Sequence, residues 1–195
     1  MSVFKRHSYD IVKLYVDQIG ITVFSLILIT ALGSISNSLA MQLGLSIFTT
    51  LFFGVILYTT SWELVAKDRL SFDGGRCEAC KFKGLIMSLY ANIPNFLLAG
   101  LSVIFLLISK AGSEAMYSAG AVMLMITKFT MAIYHGIVYA ATIFSSGFSV
   151  TDNAIALSVG YLIVPVIAIF ITQLGYSFGF NERKLFGGAM DAKRK

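Results

Sequence analysis

Four long stretches of this sequence contain no Asp, Glu, Lys or Arg. The first comprises the 45 residues between Asp17 and Glu63, and the others occupy 84–109, 129–151 and 153–181. An α-helix needs about 20 apolar residues to cross the hydrocarbon core of a bilayer. Each stretch is therefore long enough for one crossing, and the first is long enough for two. This pattern predicts a helical membrane protein with little of its chain outside the bilayer.

The composition argues against the soluble and the β-barrel classes. The chain is 57% apolar and 13% charged, whereas soluble domains carry about 25% charged residues. Barrel strands alternate polar and apolar positions over about 10 residues, but 26–29 and 105–108 are apolar at every position. The net charge of +5 comes from basic residues that flank the apolar stretches, where they set topology and meet lipid head groups. We therefore expect a lipid bilayer as the partner surface and no nucleic acid.

The distribution of polar segments predicts one membrane domain. We predict an all-α polytopic bundle over 18–181, preceded by a short interfacial helix at 1–17 and followed by a basic tail at 182–195. The bundle should contain five long apolar helical segments, which make five or six crossings. These segments lie at about 18–32, 43–62, 84–109, 115–148 and 154–176.

The Lys and Arg counts near the spans predict the orientation. The N-terminal segment has three, the loop 63–83 has five, and the tail has five. This rule places all three in the cytoplasm, but three apolar stretches between the loop and the tail would put the tail outside. A split of the fourth stretch near Lys128, or a re-entrant segment, would remove the conflict. The spacing of polar residues, without Gly, Pro or Asn near Lys128, instead favours one continuous helix over 114–148.

Two ionisable residues lie within the fourth apolar stretch. Lys128 and His135 are seven residues apart, and Tyr139 follows one turn later, so a continuous helix would place all three on one face. Ionisable groups within a membrane are costly and are functional candidates. They could line a cavity, with Lys128 holding an anionic group. Alternatively, Lys128 reaches the membrane interface and His135 bonds a neighbouring helix.

Two asparagines flank a proline in the third stretch. Asn92 and Asn95 lie beside Pro94, which frees a backbone carbonyl and should kink the helix. Interrupted helices expose backbone groups at the binding sites of transporters. Asn92 and Asn95 are therefore candidate ligand-binding or pore-lining residues.

The loop 63–83 is the second candidate region. Its closely spaced charges suit docking to another protein, with local ion pairing or simple solvation as alternatives. The docking candidates are Trp62, Glu63, Lys67, Asp68, Arg69, Asp73 and Arg76. Cys77 and Cys80 form a Cys-x-x-Cys pair that could bind zinc with ligands from a second chain or from His7, act as a redox dithiol, or remain as simple thiols.

No catalytic, dinucleotide-binding or Walker motif is present, so we predict a non-enzymatic protein without a cofactor. In its dimensions alone, the chain is similar to the small substrate-binding membrane subunits of bacterial vitamin importers, which assigns no residue a role. We predict a multipass cell-membrane protein that is a small ligand-binding or docking subunit of a larger transport complex, with a protein partner or a second copy of itself. The alternative is a self-sufficient small oligomeric transporter or channel that uses the Lys128/His135 stripe.

Overall fold

The computed structural model describes residues 3–33, 38–73, 82–143 and 150–180. Every regular element within these ranges is a helix, which confirms the all-α prediction. The elements in chain order are α1 (Val3–Gly33), α2 (Leu39–Asp73), α3 (Lys83–Ser109), α4 (Glu114–Thr130), a 3₁₀ turn (Ala132–Tyr134), α5 (His135–Ile143), α6 (Val150–Ile163) and α7 (Pro165–Phe180).

Within the described residues, four helical segments are long and apolar enough to cross a membrane. They are Ser8–Ala31, Ala40–Ala66, Lys83–Ser109 and Asp152–Phe180, the last of which comprises α6 and α7. Helix α4 and the segment Ala132–Thr142 form a fifth candidate only if this pair, bent by 85°, counts as one span. The chain is therefore a helical membrane protein with four or five candidate spans in its described part, and the predicted count of five or six crossings is not confirmed.

The burial of side chains is that of a protein surrounded by lipid. Leu51 and Phe170 are 66% and 63% exposed, whereas Thr49 and Ser102 are completely buried. Exposed apolar area on this scale is rare on a soluble monomer. It is the expected outer surface of helices that face hydrocarbon, with the polar groups paired inside.

Helix α1 differs from the predicted arrangement at the N-terminus. It is continuous from Val3 to Gly33, so residues 3–17 run into the first span without a break, and the predicted separate helix at 1–17 is not confirmed. No proline interrupts this segment, and the single Gly20 costs a helix only about 1 kcal/mol. Ile11, Leu14 and Ile21 are buried along one face, which anchors both parts of α1 to the bundle.

The predicted loop 63–83 is in part helical. Helix α2 continues to Asp73, because no helix breaker occurs before the sequence Asp73-Gly74-Gly75. Val65 is completely buried and faces Gly179 of α7. The prediction of a loop is therefore wrong for 63–73, while residues 74–81 lie outside the described part of the chain.

The fourth apolar stretch is not one continuous helix. Helix α4 ends at Thr130, and the following segment turns by 85°. The prediction of a continuous helix over 114–148 is therefore wrong. Met131 and Ile133 at the bend are completely buried, which shows that tertiary packing holds the break where the local sequence contains no helix breaker.

An ion pair marks each end of the bundle. At the end that we call the Asp68 end, Lys83 Nζ at the start of α3 lies 2.5 Å from Asp68 Oδ2. At the opposite, Asp152 end, Lys110 Nζ just after α3 lies 2.5 Å from Asp152 Oδ1 in the first turn of α6. Helix α6 therefore begins at the end of the bundle where α3 stops. The chain that leaves this end in α4 is therefore back at it where α6 begins.

Candidate functional site

The break between α4 and α5 lies among hydroxyl groups of α1 and α2. Thr22 Oγ1 donates a hydrogen bond of 3.1 Å to the carbonyl of Thr130. Thr49 Oγ1 lies 3.2 Å from the carbonyl of Ile133, and it shares its single hydrogen between this carbonyl and those of Leu45 and Ser46 in its own helix. A broken helix in a membrane must have its freed carbonyls satisfied by neighbours. These two threonines do so, and they keep the bend free of unpaired acceptors at these positions.

The start of α5 is packed against α2 at a glycine. The backbone N–H of Gly136 donates to Ser46 Oγ at 2.6 Å. A Cβ atom on Gly136 would overlap the carbonyl oxygen of Gln42. Gly136 is therefore required by the close approach of the two backbones, and Ser46 satisfies one donor of the first turn of α5.

His135 is the first residue of α5 and lies beside two tyrosines. Its Nδ1 and the hydroxyl of Tyr161 in α6 are hydrogen-bonded at 2.8 Å. Its ring stacks on Tyr139, with centroids 6.0 Å apart and planes 17° apart. Lys128 lies on α4, on the other side of the bend from His135. The structure thus places His135 beside Tyr139, whereas Lys128 belongs to a different helix.

The hydrogen bond with Tyr161 places His135 in contact with a neighbouring helix. Tyr161 is completely buried and was not a predicted site residue. Such a bond is expected if His135 joins two helices and does not line a cavity. The assignment of Lys128, His135 and Tyr139 to a ligand site or a pore remains a prediction.

The two asparagines of α3 are bonded within their own helix. Asn92 Nδ2 donates to the carbonyl of Ser88 at 2.9 Å, and Asn95 Nδ2 donates to Asn92 Oδ1 at 3.1 Å. Both residues are buried, and α3 is one helix through Pro94. Their local role is to satisfy polar groups inside the bundle, and their role in ligand binding stays a prediction.

Most of the predicted docking residues lie on the last turns of α2. Asp68 is not free to meet a partner, because its Oδ2 binds Lys83 and also accepts a 3.2 Å hydrogen bond from Tyr176 of α7. The Lys83 side chain is only 9% exposed. Glu63 is exposed, and Trp62 packs against Gly179 of α7.

The remaining docking and metal candidates are described in part or not at all. Lys67 and Arg69 lie within α2, and Asp73 is its last residue. Arg76, Cys77 and Cys80 lie outside the described residues. Among the residues that are described, no group of three or more His, Cys, Asp or Glu could hold a metal ion. The proposed zinc or redox role of the Cys-x-x-Cys pair therefore stays a prediction.

A cleft of about 80 Å³ opens at the Asp68 end of the bundle. Helices α1, α2, α3 and α7 form its walls, and the residues at its base are buried. We call it the charged cleft. Its lining residues are Tyr9, Asp10, Lys13, Leu14, Thr60, Ser61, Glu63, Leu64, Gly84, Met87 and Thr172.

The charged residues of this cleft come from two helices. Asp10 and Lys13 belong to α1, and Glu63 belongs to α2. Lys13 and Glu63 form no ion pair with each other or with another described side chain. The cleft therefore presents a cation and a carboxylate that have not neutralised each other.

The sequence pattern did not reveal this site. Glu63 was predicted as a docking residue, but Asp10 and Lys13 were read only as part of an interfacial helix. The available signal is that charged residues stand at the ends of two apolar stretches, where head groups of the bilayer lie. Which of these ends meet depends on how α1 packs against α2 and α3, and the local sequence does not determine this.

Comparison of the chain with protein-family models, with curated proteins and with solved structures finds no match. The functional argument therefore depends on the residues and their geometry.

Proposed function

We propose that this protein is a non-enzymatic, multipass membrane subunit that binds a small ligand within a larger transport complex. The observation that supports this is the charged cleft, which combines opposite charges, hydroxyl groups and an apolar base in one concave site. Concave sites with a few convergent polar groups are the usual form of a ligand pocket. No cofactor is part of the proposal.

The state of the interior polar groups favours a subunit over an independent channel. Thr127, Ser158 and Thr172 are buried, and each donates to a carbonyl four residues earlier in its own helix. Hydroxyl groups at the helix break bond the freed carbonyls. These groups are satisfied by the bundle and need no column of water, which a conducting path would require. Gln18 and Ser25 of α1 are exceptions, since Gln18 Nε2 and Ser25 Oγ are buried without a hydrogen-bond partner among the described residues.

The topology that we propose has four crossings. The Lys110–Asp152 ion pair supports a re-entrant α4–α5 segment, because both residues stand at the same end of the bundle. With four crossings, the N-terminus, residues 74–81 and the tail all emerge at the Asp68 end. The Lys and Arg counts then favour a cytoplasmic location for this end. Because only two crossings separate residues 74–81 from the tail, both can lie on the same side, and the conflict between the Lys and Arg counts and the number of crossings disappears.

A second candidate function is a small transporter or channel, and the α4–α5 break favours it. Broken helices at membrane depth commonly line the sites of transporters. Lys128, His135 and Tyr139 lie at this break and would be its working residues. The helix break has the form that such a site requires. However, the carbonyls of Thr130 and Ile133 at the break already accept hydrogen bonds from other helices.

Reconstitution of the purified chain into liposomes separates the two functions. The subunit proposal expects proton and potassium flux no greater than in liposomes without protein, both for the wild type and for His135→Leu. It also expects the chain, when extracted gently from its own membrane, to migrate in a complex that contains other proteins. A flux that requires His135, produced by the chain alone, would instead establish the transporter and overturn the subunit proposal.

A further inference from the structure

Two charges of the charged cleft, Lys13 and Glu63, indicate the kind of ligand that fits it. They face the same small space from different helices, and neither forms an ion pair with a described side chain. At the opposite end of the bundle, Lys110 and Asp152 meet directly at 2.5 Å. A ligand with one positive and one negative group would complement both charges of the cleft, whereas a simple anion or cation would complement one.

The depth of the cleft matches that of lipid head groups. Its residues on α1 lie within two turns of Ser8, where the first candidate span begins. Its residues on α2 lie within two turns of Ala66, where the second span ends, and Gly84 directly follows the start of the third. Three of the four walls therefore belong to the zone between hydrocarbon and water, in which zwitterionic head groups are concentrated.

The size of the cleft excludes a large ligand. A volume of about 80 Å³ is well below the roughly 300–1,000 Å³ of pockets for drug-sized molecules. It accommodates the charged end of a small molecule and leaves no room for an acyl chain. An acyl chain could lie outside the cleft, where Val12 and Val16 of α1 are 58% and 56% exposed.

We propose that the charged cleft binds the head group of an aminophospholipid, with the phosphate at Lys13 and the primary ammonium at Glu63. This inference rests on the proposed function, because it names the ligand class of the same site. Charge-assisted hydrogen bonds to both groups would fix the orientation of the head group.

Native mass spectrometry of the full chain in detergent tests this inference. The probes are phosphatidylethanolamine, phosphatidylglycerol and soluble ethanolamine phosphate. The wild type should bind phosphatidylethanolamine about tenfold more tightly than phosphatidylglycerol, since only the former has an ammonium group for Glu63. Glu63→Gln should remove this preference, whereas Lys13→Gln should weaken both lipids, because both contain the phosphate. Lys110→Gln, at the other end of the bundle, is the matched control and should change neither affinity.

Two other results would contradict the assignment of the cleft to an aminophospholipid. Equal binding of the two lipids that Glu63→Gln does not alter would show that the cleft selects no aminophospholipid. Tight binding of ethanolamine phosphate without any lipid preference would assign the cleft to a free zwitterion, which leaves the proposed ligand-binding function standing. Failure of that function itself is read from a different measurement, the His135-dependent flux in liposomes. Glu63 and Lys13 are both exposed, so their variants should fold, and circular dichroism checks this.

Discussion

The ion pair between Lys110 and Asp152 joins the end of α3 to the beginning of α6. This contact brings the polypeptide back to the end of the bundle from which α4 departs. Between the two residues, α4 descends along α3, turns by 85° and continues into α5. The bend is stabilised by hydroxyl groups of α1 and α2, so the returning segment is built into the core.

The first prediction concerns the side on which the tail emerges. In a Cys77→Ser/Cys80→Ser background, which removes both native cysteines, single cysteines are introduced by Ser2→Cys, Ala192→Cys and Ala111→Cys. Four crossings predict that the first two react with an impermeant thiol reagent from the same side of the membrane. Ala111→Cys, next to Lys110, should react from the opposite side and serves as the control. Labelling of Ala192→Cys together with Ala111→Cys would instead mean five crossings.

The second prediction compares the two ion pairs. Asp68→Asn should destabilise the protein by about 3 kcal/mol or more, because it leaves the nearly buried ammonium of Lys83 without its carboxylate. Asp152→Asn should cost about 0–1 kcal/mol, since half of the Lys110 side chain is exposed and water screens this pair. Thermal unfolding in detergent, followed by circular dichroism, measures both. A similar loss in the two variants would contradict the difference in burial.

The third prediction concerns two glycines. Gly136→Ala should destabilise the protein by about 3 kcal/mol or more, because its Cβ would overlap the backbone of α2 at Gln42. Gly100→Ala is the matched control within a helix. No atom lies within 4 Å of the Cβ position at Gly100, so alanine should stabilise α3 by about 0.5–1 kcal/mol. The ranking of the two melting temperatures decides the question, and a tolerated Gly136→Ala would show that α5 does not approach α2 so closely.

The fourth prediction concerns a buried amide. Gln18 is 3% exposed, and its Nε2 has no hydrogen-bond partner among the described residues. A buried donor without a partner costs about 1–3 kcal/mol, so Gln18→Leu should raise the free energy of unfolding. Gln42→Leu, at a half-buried glutamine of α2, provides a comparison and should have a smaller effect. A loss of stability in Gln18→Leu would show that this amide binds a water molecule or a ligand.

The sequence predicted the membrane class and the helical fold correctly because both follow from composition along the chain. Runs without charge, such as the 45 residues after Asp17, require helices that satisfy their own backbone in lipid. The break after Thr130 could not be predicted in this way. It occurs without Gly or Pro, and its backbone groups are satisfied by residues from distant parts of the chain, such as Thr22 and Thr49.

The candidate sites show the same division. The spacing of Lys128 and His135 predicted that both lie on one face of a single helix, but the helix breaks between them, and the hydrogen-bond partner of His135, Tyr161, comes from α6. The docking loop was predicted from a run of charges, yet Asp68 in this run is held by Lys83 and Tyr176. A charge in a sequence does not reveal whether it faces solvent or another helix.

The sequence by itself therefore determined that this chain is a helical membrane protein with basic flanking segments, because the hydrophobic effect and the cost of unpaired backbone groups act on every residue locally. Only the tertiary structure decided that the helix breaks after Thr130 and that α6 begins at the end of the bundle where α3 stops. It alone also brought Lys13 of α1 and Glu63 of α2 to one cleft. The physical reason is that both features depend on contacts between helices, and in lipid these contacts are selected by close packing and by hydrogen bonds between particular residues.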